Sequence, residues 1–135
     1  GVIGWCMGGE QALKLAVADP RVKATAIFYG PLITDAEKLK TLQGPVLGIF
    51  GNLDTAPSPA SVNAFEAALK ADHIPVEIYR FDGVGHAFAS RAAAVMGAYK
   101  EIPAAEAWAK TYVWLNKTLK NPPAATATAP APAAP

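Results

Sequence analysis

Three residues in this chain have side chains and neighbours suited to covalent chemistry at a carbonyl group. The first is Cys6, the single cysteine, within Gly4-Trp5-Cys6-Met7-Gly8-Gly9. Small residues at positions 4 and 8 let a strand turn sharply into a helix, and such a turn lifts the thiol above its surroundings. A helix N-terminus behind Cys6 favours the thiolate over the thiol. The second residue is Asp54, closing Phe50-Gly51-Asn52-Leu53-Asp54, and the third is His86, in Gly83-Val84-Gly85-His86. Such a set works as a unit. The histidine takes the thiol proton and returns it to the leaving group, while the aspartate fixes the imidazole tautomer and stabilises its cation. The backbone N–H of Met7, next after the nucleophile, is placed to donate to an oxyanion.

Positioning these three requires a particular set of elements. Apolar runs at Val2–Gly4, Ala24–Tyr29, Val46–Phe50 and Val76–Phe81 are mostly continuous, as in strands covered on both faces. Glu77 and Arg80 interrupt the last run and place it nearer a sheet edge. Helical patterns lie between the runs. Leu13, Ala16 and Val17 share one face of the first. Ser58 and Pro59 open another as N-cap and first-turn residues, followed by Val62, Phe65, Ala68 and Leu69 at helical spacing. Trp108, Tyr112, Leu115 and Leu119 mark an amphipathic C-terminal helix. Alternation of this kind predicts a parallel α/β sheet, with ligands at the carboxyl ends of its strands. Cys6, Asp54 and His86 each follow a different run, in the order nucleophile, acid, histidine, which is the order found in α/β-hydrolases.

The same stretches resemble the dienelactone hydrolases, cysteine-dependent α/β-hydrolases also called carboxymethylenebutenolidases. The resemblance is carried by Gly4-Trp5-Cys6-Met7-Gly8-Gly9, Pro45 to Asp54, Val76-Glu77-Ile78-Tyr79, Gly83-Val84-Gly85-His86-Ala87-Phe88, Tyr99 and Ala105-Glu106-Ala107-Trp108. It implies an α/β-hydrolase fold over residues 1–120, of which this chain reads as the C-terminal, catalytic half. It also implies Cys6 as nucleophile with Asp54 and His86 as partners. The family places an arginine four residues after the histidine to bind a substrate carboxylate. Here that position is Ser90, with Arg91 one step further on. The expected activity is hydrolysis of a small carboxylic ester or lactone through an acyl-cysteine intermediate, without metal, nucleotide or other cofactor. Trp5, Tyr29, Phe88 and Arg91 are candidates for the substrate pocket. A thioesterase or acyltransferase on the same triad is one alternative, and a fragment that keeps the triad without activity is another.

Composition closes off other classes. Twelve Lys and Arg against eleven Asp and Glu give net charge +1, no footprint for nucleic acid or an anionic membrane. One Cys forms no internal disulfide, and with two His it argues against a structural zinc site. No uncharged apolar run reaches the roughly 20 residues of a bilayer crossing. His73 reads as a surface residue at the end of the helix beginning near Ser58, and Asp82 as a plain turn residue. Residues 121–135 hold seven Ala and five Pro, and read as a disordered tail. A free catalytic thiol suits the reducing cytoplasm, with a periplasmic or secreted location left open.

Overall fold

Four short strands, each followed by a helix or turn, build one parallel sheet in the computed structural model, which describes residues 1–120. The strands are β1 (Val2–Trp5), β2 (Thr25–Phe28), β3 (Val46–Gly51) and β4 (Val76–Phe81), ordered β1-β2-β3-β4 across the sheet. Trp5 pairs with Phe28, Phe28 with Ile49, and Gly51 with Phe81. All four carboxyl ends therefore lie along one edge. The residues that follow them, Cys6, Tyr29, Asn52 and Asp82, start from a common rim.

Alternate strand residues divide between two cores, as the two-residue period of a strand requires. Ala26, Phe28, Leu47 and Ile49 face one way, where they meet Phe88, Ala104, Ala107 and Trp114. Ile27, Val46 and Phe50 face the other, packing on Leu13, Ala16, Leu39, Val62, Phe65 and Leu69. Helices α1 (Met7–Ala18), α2 (Ala36–Leu39) and α3 (Pro59–Ala71) cover that second face, and α4 (Glu101–Leu115) covers the first. Double coverage explains why the central strands are continuous apolar runs. β4 sits at the end of the sheet and is only half-buried over most of its length, consistent with its charged residues.

Helix boundaries follow local chemistry. Ser58 caps α3, its hydroxyl accepting from the Ser61 N–H at 3.2 Å, with Pro59 in the first turn. Such a cap contributes about 1 kcal/mol. Two further segments are short. Asp35 caps the single turn of α2, accepting from the N–H groups of Glu37 and Lys38, and Leu39 is buried beneath it. A 3₁₀ segment spans Arg91–Met96 and stops at Gly97, whose φ is 72°. Both are too short to show a helical period.

The buried face of α4 is the main correction. It comprises Ala104, Ala107, Thr111 and Trp114, whereas Tyr112 is 59% exposed and Leu119 lies outward beyond the helix, in the π turn Asn116–Lys120. Alanines let the helix approach the sheet closely, and the large residues that suggested the other face sit at its margin. Trp108 joins a stack there, 5.6 Å from Trp5 and 5.4 Å from Phe28 between ring centroids. The expected tail, 121–135, lies outside the described residues.

Candidate active site

Cys6 occupies the turn between β1 and α1 with φ 54° and ψ −127°, a conformation that disfavours any side chain. Such a position costs on the order of 1–3 kcal/mol and persists only where its surroundings enforce it. The Cys6 N–H donates to the Phe28 carbonyl at 2.9 Å, and its carbonyl accepts from Gly9 N–H at 2.9 Å. A Cβ on Gly4 would collide with the Gly8 carbonyl, and one on Gly30 would lie 2.7 Å from the Cys6 carbonyl oxygen. A Cβ on Gly9 would press on Ile27 and Gly30, but one on Gly8 would meet open space. The close approach thus rests on Gly4, Gly9 and Gly30, and position 8 needs no small residue for contact.

The three candidate side chains form a continuous hydrogen-bonded line. His86 Nε2 lies 3.1 Å from Cys6 Sγ, and His86 Nδ1 lies 2.9 Å from Asp54 Oδ2. Asp54 is buried at 5% exposure, and its other oxygen accepts from the Ala56 N–H at 2.9 Å. Cys6 itself is exposed. The hydrogen bond from His86, then that from the Met7 N–H, hold the Cys6 thiol below its ordinary range. Burial lowers the His86 imidazole, but its hydrogen bonds to Cys6 and Asp54 more than reverse this, and its pKa is raised. The pair is thereby biased toward thiolate and imidazolium.

A cavity of about 280 Å³ opens beside the sulfur, lined by Trp5, Cys6, Tyr29, Ala87, Ala89 and Ser90. Four non-glycine residues among those described have positive φ, and three of them line this cavity: Cys6 (54°), Tyr29 (37°) and Ala87 (61°). They come from three separate chain segments, so backbone strain converges on one place. Tyr29 is 1% exposed and set edge-on to His86, with ring centroids 5.3 Å apart. Burial first, and the neighbouring Cys6 charge second, push its pKa up to about 12, so it stays protonated.

Not every expected lining residue reaches this wall. Trp5 and Tyr29 do. Phe88 is fully buried behind the wall, packed on Tyr29 and Phe81. Arg91 borders an adjoining cavity of about 270 Å³ with Ala89, Tyr99, Glu101 and Trp108. Ala87 and Ala89 line the wall without having been singled out as pocket residues, because an alanine carries no chemical signal, and Ser90, noted only as the position of the family's arginine, joins them. His73 is an exposed residue just beyond α3. Among the described residues no group of three or more His, Cys, Asp or Glu could hold a metal, and no helix is long and apolar enough to cross a membrane.

A parallel sheet with a strained residue between strand and helix, and an acid and a histidine following later strands, defines the α/β-hydrolase class. Residues 1–119 match the dienelactone hydrolase family, and the chain belongs to that family of hydrolytic enzymes. It is similar to a protein of Salmonella typhimurium provisionally named carboxymethylenebutenolidase, at 30% identity over 122 residues covering 84% of this chain and 44% of the relative. A similarly named protein of Synechocystis is 33% identical over 132 residues, covering 89% of this chain and 51% of the relative. The chain thus spans about half the length of these relatives. Among solved structures, a provisionally named dienelactone hydrolase of Klebsiella pneumoniae superposes with TM-score 0.75 at 27% identity, covering 85% of this chain and 50% of that one. A dienelactone hydrolase-like promiscuous phosphotriesterase from metagenomic libraries gives TM-score 0.77 at 23% identity, which is a likeness of fold.

Proposed function

We propose that Cys6, His86 and Asp54 form a catalytic triad that hydrolyses small carboxylic esters or lactones through an acyl-cysteine intermediate, and that residues 1–120 are the catalytic part of the protein. The observation that carries this reading is the unbroken Asp54–His86–Cys6 line, 2.9 and 3.1 Å, ending at an exposed sulfur beside a cavity. In the first half-reaction the Cys6 thiolate attacks the carbonyl carbon, and the carbonyl π electrons move to oxygen. The Met7 N–H, which already interacts with Cys6, is the donor at hand for that oxyanion. Collapse expels the alcohol or enol oxygen, which takes the His86 proton and leaves a thioester on Sγ. In the second half-reaction neutral His86 removes a proton from water, whose oxygen attacks the thioester. Collapse releases the carboxylic acid and restores thiolate and imidazolium. Asp54 accepts from His86 Nδ1 throughout, holding the other nitrogen toward sulfur.

The walls indicate what the site accommodates. Apart from Cys6 itself, no charged side chain among the described residues lines the cavity, and Ser90 occupies the position where the family resemblance puts a carboxylate-binding arginine. Uncharged acyl groups small enough for about 280 Å³ therefore suit it. A thiolate is a better leaving group than an amine, so activated esters and enol lactones fit this chemistry and amides do not. The test is turnover of 4-nitrophenyl acetate by the full-length protein. Cys6→Ala, or prior alkylation by iodoacetamide, is expected to lower kcat by roughly a thousandfold or more. Undiminished turnover by Cys6→Ala would refute the proposal.

A further inference from the structure

Asp54 and His86 belong to different loops, one after β3 and one after β4, so their contact is only as exact as the packing of those loops. Backbone bonds join the loops twice, from the Asn52 N–H to the Phe81 carbonyl and from the Leu53 N–H to the Val84 carbonyl, both at 2.9 Å. Gly51 keeps them close. A Cβ on Gly51 would run into the Val84 carbonyl, whereas one on Gly85 would make only ordinary contact, 3.5 Å from the Leu53 carbonyl oxygen. Across the same junction Asn52 Nδ2 donates to Asp82 Oδ1 at 2.5 Å. Apart from the Asp54–His86 contact itself, this is the one side-chain to side-chain hydrogen bond between these loops among the described residues. Asn52 stands two residues before Asp54, and Asp82 four before His86.

We propose that Asn52 and Asp82 are positioning residues: their hydrogen bond fixes the separation at which Asp54 meets His86, and through it the reach of His86 Nε2 to Cys6. The inference rests on the triad reading above. Neither residue lines the cavity beside Cys6. Misplacement of a catalytic group by a fraction of an ångström lowers the rate of reaction while leaving ground-state binding alone.

The test uses the full-length protein, 4-nitrophenyl acetate, and thiolate absorbance to titrate Cys6. Asn52→Ala is expected to lower kcat roughly five- to tenfold with KM unchanged, and to raise the titration midpoint of the thiol, because His86 meets it less well. Asn52→Asp, which opposes two carboxylates, should lower kcat further. The exchanged pair Asn52→Asp with Asp82→Asn restores one amide and one carboxylate, and should return kcat to within about twofold of the parent. Thermal midpoints measured alongside separate loss of fold from loss of alignment, and the exchanged pair answers the question even if a single variant unfolds. Single variants with parental kcat, or an exchanged pair no better than Asn52→Asp alone, would overturn the inference. If Cys6→Ala kept full activity, the triad reading would fail as well. Inactive Cys6→Ala beside unaffected Asn52 variants would remove only the clamp.

Discussion

Cys6 and His86 shift each other toward charge, and this sets the expected pH response. The largest influence lowering the thiol is the hydrogen bond from His86, so the thiolate forms below the ordinary value of 9.0. The proposed acylation uses thiolate with imidazolium. The rate of iodoacetamide alkylation should therefore rise through a midpoint below 9.0, and kcat/KM should follow the same acidic limb. It should fall again at alkaline pH as His86, raised above 6.5, loses the proton that the leaving group needs. His86→Ala should move the alkylation midpoint upward, because the first cause of the lowered value is gone. A second residue-scale consequence concerns Ala87, which holds φ 61° directly after the histidine. Glycine adopts that conformation without a Cβ penalty, so Ala87→Gly should raise stability by about 1 kcal/mol in chemical denaturation. Such positions mark what the amino-acid sequence does not announce. Cys6, Asp54 and His86 stand out as candidates because their residue types and strand-end contexts are chemical signals, whereas alanine and tyrosine at positive φ carry none.

At the scale of elements, the turn from β1 into α1 makes a sharp distinction between two glycines that look equivalent in Gly4-Trp5-Cys6-Met7-Gly8. Gly4→Ala drives a methyl group into backbone, and should cost about 2–4 kcal/mol in thermal or denaturant unfolding together with most of the activity. Gly8→Ala places a methyl in open space on helix α1, and should leave stability unchanged or raise it by up to about 1 kcal/mol. The four strands are legible to within a residue or two: burial on both faces leaves continuous apolar runs in β2 and β3, and the half-buried β4 keeps its apolar residues around Glu77 and Arg80. The contact face of α4 was not, since Ala104, Ala107 and Thr111 do the packing while Trp108 and Tyr112 draw attention to the neighbouring face. The Asn52–Asp82 contact was beyond reach for another reason. It joins residues thirty apart that become neighbours only when β3 and β4 pair.

Considered as a whole, the described residues gather their candidate catalytic groups on the carboxyl rim of one parallel sheet and use both faces for packing. In-register strand ends bring Cys6, Tyr29, Asn52 and Asp82 to that rim, and short loops complete the line to Asp54 and His86. The chain spans about half the length of the relatives it matches, yet all three candidate groups lie within its first 86 residues. The most direct test of the account is the mass of the peptide carrying Cys6 after the full-length protein is mixed with an activated ester and quenched in acid within the first turnovers. The account predicts that peptide shifted by the acyl group of the ester, with the label lost on incubation and absent from Cys6→Ala. Rapid turnover with Cys6 unmodified, or the acyl group on another residue, would contradict it.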